Sequence, residues 1–286
     1  MSLLVDHTVP QQAYRRRRLA VLAVAGLMAI AAASGFDVVR DRPALEVVAS
    51  SPPPGDGGAG EPAGDTPTET TAPPWVWNRP PSTPGPLAAA PGLAPVITRV
   101  ETTDPVVFLT IDDGFTRGPE AAAAFRALGI PASLFLVDGP VVSAAGWFDG
   151  LPGSLVESHT QTHPNMRGLS ESAQRAEICG NADLIERAYG RRPVLFRPPY
   201  GNYDEATQRA AAACGIRAIV LWQETVNDDV VEFREVTHLR AGDIILMHFR
   251  TSFVQELNLI KDRVQQAGLH FALLEDYLAP DTVPAD

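Results

Sequence analysis

From Pro105 onward the chain repeats one pattern: a short apolar run, a reactive residue at its end, then a helical stretch closed by glycine. Val106 to Ile111 is continuously apolar and leads into Asp112-Asp113-Gly114; Pro119 then opens a helix that runs to Leu128 and stops at Gly129. The same reading places strands at 132–137, 154–158, 194–196, 218–222, 243–247 and 269–274. Between them fall a helix capped by Ser170, with Ile178, Ala182, Ile185 and Tyr189 at helical spacing before Gly190, and helices at 205–214 and 253–267. Strands that alternate with helices point to an α/β fold built on a parallel sheet. In a barrel of this kind the C-terminal ends of the strands converge on one face, where active sites are built. Here five strand ends carry Asp112-Asp113, the His159 and His163 pair, Arg197, an acidic segment and His248. That convergence predicts a catalytic site.

Proline separates what folds from what does not. Of 26 prolines in the 286 residues, fourteen fall between Pro43 and Pro95, in a stretch of Pro, Gly, Ser, Thr and Ala. Such a segment has too few packable side chains to repay the entropy of ordering its backbone, so 37–95 is expected to be a disordered linker. Trp75 and Trp77 are its exceptions, able to dock on the folded domain or on a sugar, or to form a local cluster. The folded domain is expected at 96–286. At the other end, residues 1–18 form a basic region closed by Arg15 to Arg18, before an uncharged run of 18 residues, Leu19 to Phe36. A helix of that length spans about 27 Å, enough for a thinned or tilted crossing. It reads as a transmembrane anchor with the arginines in the cytoplasm, or as a signal peptide cleaved near Ala33. Either way the domain is expected outside the cytoplasm, anchored to the cell membrane or secreted.

Charge narrows the partners. The chain is at −11, and with 26 acidic and 16 basic residues the segment 96–286 carries −10 of it. A domain so acidic repels phosphate backbones, so no nucleic-acid partner is expected. The chain is expected to act as a monomer.

His159 and His163 are four apart, a spacing that aligns two imidazoles if they share a helical turn. Two imidazoles and a carboxylate suit zinc or a similar divalent ion and leave positions open for water and substrate. Asp112 and Asp113 are adjacent at a strand end, where successive side chains point to opposite sides, so one could bind a cation while the other does different work. Taken singly, a surface turn or a helix cap would explain each pair as well.

Together the motifs resemble those of the polysaccharide deacetylases with a NodB homology domain, carbohydrate esterase family 4. The resemblance covers about Pro105 to Ala279, in the family's order: Thr110-Ile111-Asp112-Asp113-Gly114, His159-Thr160-Gln161-Thr162-His163, Arg197-Pro198-Pro199-Tyr200-Gly201 and Leu246-Met247-His248. It implies a distorted (β/α) barrel and a divalent metal ion, zinc first with cobalt or manganese as alternatives, held by Asp113, His159 and His163. It also implies Asp112 as general base, His248 as general acid, Arg197 as the partner of Asp112, the Tyr200 backbone N–H as oxyanion donor and Leu246 as a wall for the acetyl methyl group. The fourth motif departs from the family. In Trp222-Gln223-Glu224-Thr225-Val226-Asn227-Asp228-Asp229, Asp228 falls where an aspartate tunes the acid histidine, but Asp229 follows where an aromatic residue is usual. Cys179 and Cys214 lie on helices that such a barrel places close together, where they either pair or stay as two buried thiols. His238 and His270 are read as non-functional. The function implied is removal of acetyl groups from N-acetylated amino sugars of a glycan, peptidoglycan or chitin-like. The alternatives are hydrolysis of another amide or ester and a silent glycan-binding module.

Overall fold

The structure, a computed structural model, describes residues 72–82, 87 and 89–278. Its framework is one sheet of ten strands. In chain order these are β1 (Val96–Ile97), β2 (Val106–Asp113), β3 (Ser133–Leu136), β4 (Leu155–Ser158), β5 (Leu195–Phe196), β6 (Ala218–Val220), β7 (Glu224–Asn227), β8 (Val230–Phe233), β9 (Ile244–His248) and β10 (His270–Ala272). The helices are α1 (Pro119–Leu128), α2 (Asp138–Asp149), α3 (Glu171–Tyr189), α4 (Glu205–Ala213) and α5 (Phe253–Gln266).

The sheet runs β1-β6-β5-β4-β3-β2-β9-β7-β8, parallel throughout except for the β7/β8 hairpin. β2 is the axis. Along one edge its first residues pair with β10 and its last with β3, while β9 takes the other edge. Its side chains divide by parity. Val107, Leu109 and Ile111 join Phe125 of α1 and Phe253, Leu257 and Ile260 of α5 in the largest core cluster. Val106 and Phe108 face the other way, into a cluster with Phe135, Leu195, Ala218, Val220 and Ile244. In a flat sheet β2 and β6 would lie four strand spacings apart, about 19 Å; sharing one inner cluster requires the sheet to curl. The end strands β1 and β8 do not pair with each other, so the α/β barrel is open as well as distorted. A short 3-10 helix, Leu274–Tyr277, fills the end of the barrel beneath β2, where the Tyr277 hydroxyl donates to Asp104 Oδ2 at 3.0 Å.

The local signals act as expected. Pro119 starts α1 and Gly129, at φ 61°, ends it; Ser170 Oγ accepts from Ala173 N at 3.3 Å and Gly190, at φ 69°, closes α3. Two elements carry no such signals. α2 holds Gly139, Pro140 and Gly146, shows no apolar period and leaves helical geometry at Ala144. The β7/β8 hairpin lies in the acidic segment and turns through Asp228 and Asp229, both at positive φ, the geometry of a two-residue hairpin turn.

The domain begins earlier than residue 96. Trp75 O accepts from Phe271 N at 2.7 Å and Trp77 N donates to Phe271 O at 2.8 Å, so this segment lies as a short parallel bridge on β10. Trp75 packs against the main core and donates through Nε1 to Leu128 O, Trp77 packs on the inner cluster, and His270 Nδ1 lies 2.9 Å from Pro74 O. Linker composition there is overruled by two large indole faces that find apolar surface to cover. Cys179 of α3 and Cys214, just past α4, form a disulfide with Cα atoms 5.0 Å apart, so they are not separate thiols. Among the described residues no helix is long and apolar enough to cross a membrane; the basic block, the run 19–36 and most of the expected linker lie outside the described residues.

Candidate metal centre and active site

The C-terminal ends of β2, β4, β5 and β9 bring the expected residues together. Parity puts Asp112 inside the barrel mouth, in register with His248 of β9, and Leu246 two residues earlier on the same face beside Thr110. Asp113 would point outward if the strand continued. Instead its φ is 70° and that of Gly114 is 84°, and this left-handed turn swings the second carboxylate back over the mouth. Gly114 is required there, since a Cβ would sit 2.8 Å from Leu136 Cδ2 and 2.9 Å from Phe148 Cζ. The two aspartates therefore face one site rather than opposite sides of the strand.

The histidines reach that site from a loop and not from a helical turn. Thr160 and His163 have φ of 73° and 60°, conformations that non-glycine residues adopt only when the surroundings hold them. Asp113 Oδ1 lies 3.4 Å from His159 Nε2 and 3.2 Å from His163 Nε2. His159 Nδ1 is 2.7 Å from the carbonyl oxygen of Arg197. A carbonyl only accepts, so Nδ1 carries the proton and Nε2 keeps its lone pair for an ion. The donor atoms of Asp113, His159 and His163 all lie within 4.8 Å of one another, and Asp113 Oδ1 is buried with no hydrogen bond of normal geometry. An orphaned buried carboxylate oxygen facing two imidazole nitrogens is what a bound divalent cation would satisfy, so these residues fit a metal. Burial alone would push the Asp113 carboxyl up, but the imidazoles of His159 and His163 hold it far below the usual carboxylate range. Burial likewise works against a charged His159, and the Asp112 and Asp113 carboxylates outweigh it, leaving that histidine raised.

Beside this trio Arg197 is wholly buried. Its Nη1 donates to Asp112 Oδ1 at 2.7 Å and to Thr110 Oγ1 at 2.8 Å, while Nε and Nη2 donate to the carbonyls of Val220 and Leu221. The guanidinium lies over the Phe135 ring, 4.4 Å from its centroid, with Trp222 at 5.6 Å. Burial depresses its pKa, and Asp112 opposes that shift. Asp112 Oδ2 is left facing the mouth, 3.9 Å from His159 Nε2.

The family model described as polysaccharide deacetylase matches residues 99–219, from before β2 to within β6. The chain belongs to the polysaccharide deacetylase family. An uncharacterized protein of Streptomyces coelicolor, SCO4760, is 39% identical over 194 residues, which are 65% of this chain and 78% of that protein. A peptidoglycan-N-acetylglucosamine deacetylase of Bacillus cereus is 26% identical over 154 residues, half of this chain and 55% of the relative. Among solved structures, a family 4 carbohydrate esterase from Streptomyces lividans in complex with acetate superposes with a TM-score of 0.52 at 26% identity, covering 62% of this chain and 98% of that one.

In this family member the remaining site residues are placed as follows. His248 Nε2 is 4.0 Å from Asp113 Oδ2; burial lowers its pKa, the carboxylates of Asp112 and Asp113 oppose the shift, and its buried Nδ1 makes no hydrogen bond. No hydrogen bond therefore links His248 Nδ1 to Asp228. The register pairs Thr225 with Leu246, and Asp228 lies beyond the paired residues, exposed at the hairpin turn with Asp229. Tyr200 sits in the 3-10 turn Pro199–Gly201 at φ 63°, with its half-exposed ring against His163 at 4.9 Å. The Trp222 ring lies nearby: a Cβ on Gly201 would come 3.0 Å from it. Sequence reasoning missed Thr110, which shares the Arg197 guanidinium, and Asn181, which binds the His159 backbone. Asn181 could have been noticed, because it interrupts the apolar stripe of Ile178, Ala182 and Ile185 on α3.

Proposed function

We propose that this chain is a metal-dependent hydrolase that removes acetyl groups from N-acetylated amino sugars of a polysaccharide, peptidoglycan or a chitin-like glycan. The observation that carries the reading is the Asp113, His159 and His163 trio at the barrel mouth with a second carboxylate, Asp112, fixed beside it by Arg197. Family membership supports the chemistry, and the named B. cereus relative supports a wall glycan as substrate.

A divalent ion on Asp113, His159 and His163, zinc by the nitrogen-rich donor set with cobalt or manganese as alternatives, supplies Lewis-acid polarisation of the acetyl carbonyl and acidification of water. The chain's own residues do the rest. Arg197 neutralises and orients Asp112, so that Oδ2 takes a proton from the attacking water as the new C–O bond forms. The backbone N–H of Tyr200 donates to the oxyanion. His248, protonated, passes a proton through Nε2 to the amine as the C–N bond breaks, giving acetate and a free amino sugar. Leu246 walls the pocket of the acetyl methyl group. His248 depends on burial and on the two aspartates, and its Nδ1 has no hydrogen bond to Asp228.

The test is acetate release from acetylated peptidoglycan and from chitin oligomers, with and without chelator, beside an Asp112→Asn variant. Acetate release that resists chelation sinks the metal mechanism. Tight glycan binding without release points to a silent binding module. The tetra-arginine block and the uncharged run Leu19 to Phe36 support a domain exported from the cytoplasm and carried near wall glycan. The N-terminal residue of the mature protein distinguishes a retained anchor from cleavage near Ala33.

A further inference from the structure

The His159–His163 loop has no regular hydrogen-bonding partner strand, yet two of its residues sit in left-handed conformations. Inside the loop the His163 N–H donates to Thr160 Oγ1 at 3.0 Å, which joins those two residues, and the rest of the shape is set from outside. We propose that one turn of α3, Glu177 to Asn181, is the mould of the metal-binding loop, with Glu177, Gly180 and Asn181 as positioning residues for His159 and His163; this rests on the metal-site reading above.

Three residues of that turn hold the loop between its two ligands from outside. Glu177 Oε2 accepts from two successive backbone N–H groups, Gln161 and Thr162, each at 2.9 Å, and Oε1 accepts the Thr162 hydroxyl at 2.7 Å. Asn181 Oδ1 accepts from the His159 backbone N–H at 3.2 Å and from Ser158 Oγ at 2.7 Å. Its Nδ2 donates to Leu136 O at 3.2 Å and Asp138 Oδ1 at 2.8 Å, tying the end of β4 to the end of β3. Glu177 and Asn181 are four apart and so share a helix face. Between them, Gly180 is an unfavourable residue for a helix interior. A Cβ there would lie 2.5 Å from Gln161 Cδ, in the space the Gln161 side chain occupies as its amide donates to Asp138 Oδ2 at 3.3 Å. The helix thus receives the loop in three places: a carboxylate for two N–H groups, a gap for one side chain and an amide at the first ligand.

None of the three belongs to the Asp113, His159 and His163 donor set, so they act through ligand geometry. Groups that orient metal ligands typically change affinity by about 10- to 100-fold when lost. The experiment measures zinc affinity of the full chain by competition with a chromogenic chelator, for wild type and for Glu177→Ala, Glu177→Gln, Gly180→Ala and Asn181→Ala. Urea unfolding of the metal-free proteins runs alongside it, and acetate release is recorded on the same samples. Glu177→Ala and Gly180→Ala are expected to weaken zinc binding by about 10-fold or more at little change in metal-free stability. Glu177→Gln, which keeps an acceptor oxygen, should fall between. Zinc affinities within twofold of wild type for both Glu177→Ala and Gly180→Ala overturn the proposal, even if wild type releases acetate. Should Asn181→Ala fail to fold, those two variants still decide it. Tight zinc binding by wild type, weakened in the variants, with no acetate from any of them, upholds the mould and refutes the deacetylase reading instead.

Discussion

A buried carboxyl on β7 offers a sharp test of the fold's electrostatics. Glu224 opens β7 on the same face as Ile245 of β9, with its side chain buried beside the Asp243 carboxylate at the foot of that strand. Asp243 holds the nearby cations, Arg240 Nη2 at 3.4 Å and Arg99 Nε at 3.7 Å, and its Oδ2 accepts from the Arg240 backbone N–H at 2.7 Å. Neither oxygen of Glu224 makes a hydrogen bond of normal geometry. Burial first, and then the charge of Asp243, push its carboxyl up to about 9 from the ordinary 4.5. Between those two values the folded chain keeps a proton that the unfolded chain has released. Stability therefore falls as pH rises through this window, by at most about 1.4 kcal/mol per pH unit, and the loss ends above the folded pKa. From pH 4.5 to 7.5 the cost is of order 4 kcal/mol, a large share of a domain's ~5–15 kcal/mol. Glu224→Gln keeps the shape and removes the titration. Urea unfolding at several pH values between 5 and 8.5 should show the variant gaining on wild type by about 1 kcal/mol per pH unit, and more stable than wild type at the alkaline end. A stability difference that stays constant across that range would refute the assignment.

Three further outcomes follow from the packing. Gly114→Ala places a methyl group 2.8 Å from Leu136 Cδ2 on a backbone at φ 84°, so thermal unfolding should show a loss of about 1–3 kcal/mol. Arg197→Met strands the buried Asp112 carboxylate and should cost about 3–5 kcal/mol in urea titrations and abolish acetate release; Arg197→Met with Asp112→Asn should recover part of the stability but none of the activity. Replacing Cys179 and Cys214 by serine opens a closure of 35 residues, worth roughly 4 kcal/mol by chain entropy, read as a lower urea midpoint than that of the oxidised chain.

Much of the strand and helix order was legible because each element carries its own local punctuation. Pro119, Gly129, Ser170 and Gly190 act through the dihedral angles and hydrogen bonds of their own residues, which no distant contact needs to supply. α2 and the β7/β8 hairpin were not legible, because α2 is held by burial of Pro140, Val141 and Phe148 rather than by periodicity, and the hairpin by its pairing with β9. At the site, residue types were readable but directions were not. Strand alternation predicts opposed aspartates, and the left-handed turn at Asp113 defeats it; helical spacing predicts aligned histidines, and a loop held by α3 aligns them instead.

By itself the sequence determined which side chains could perform chemistry and which segments could become strands, since charge, donor type and apolar runs are properties of residues. Only the tertiary structure decided that Trp75 and Trp77 belong to the domain, that Cys179 pairs with Cys214, and that Arg197, at the end of β5, reaches Asp112 of β2 past β4 and β3. Those facts depend on the curl of the sheet. It brings β5 and β6 against β2, and curvature is a sum of many small twists that no single stretch of residues encodes.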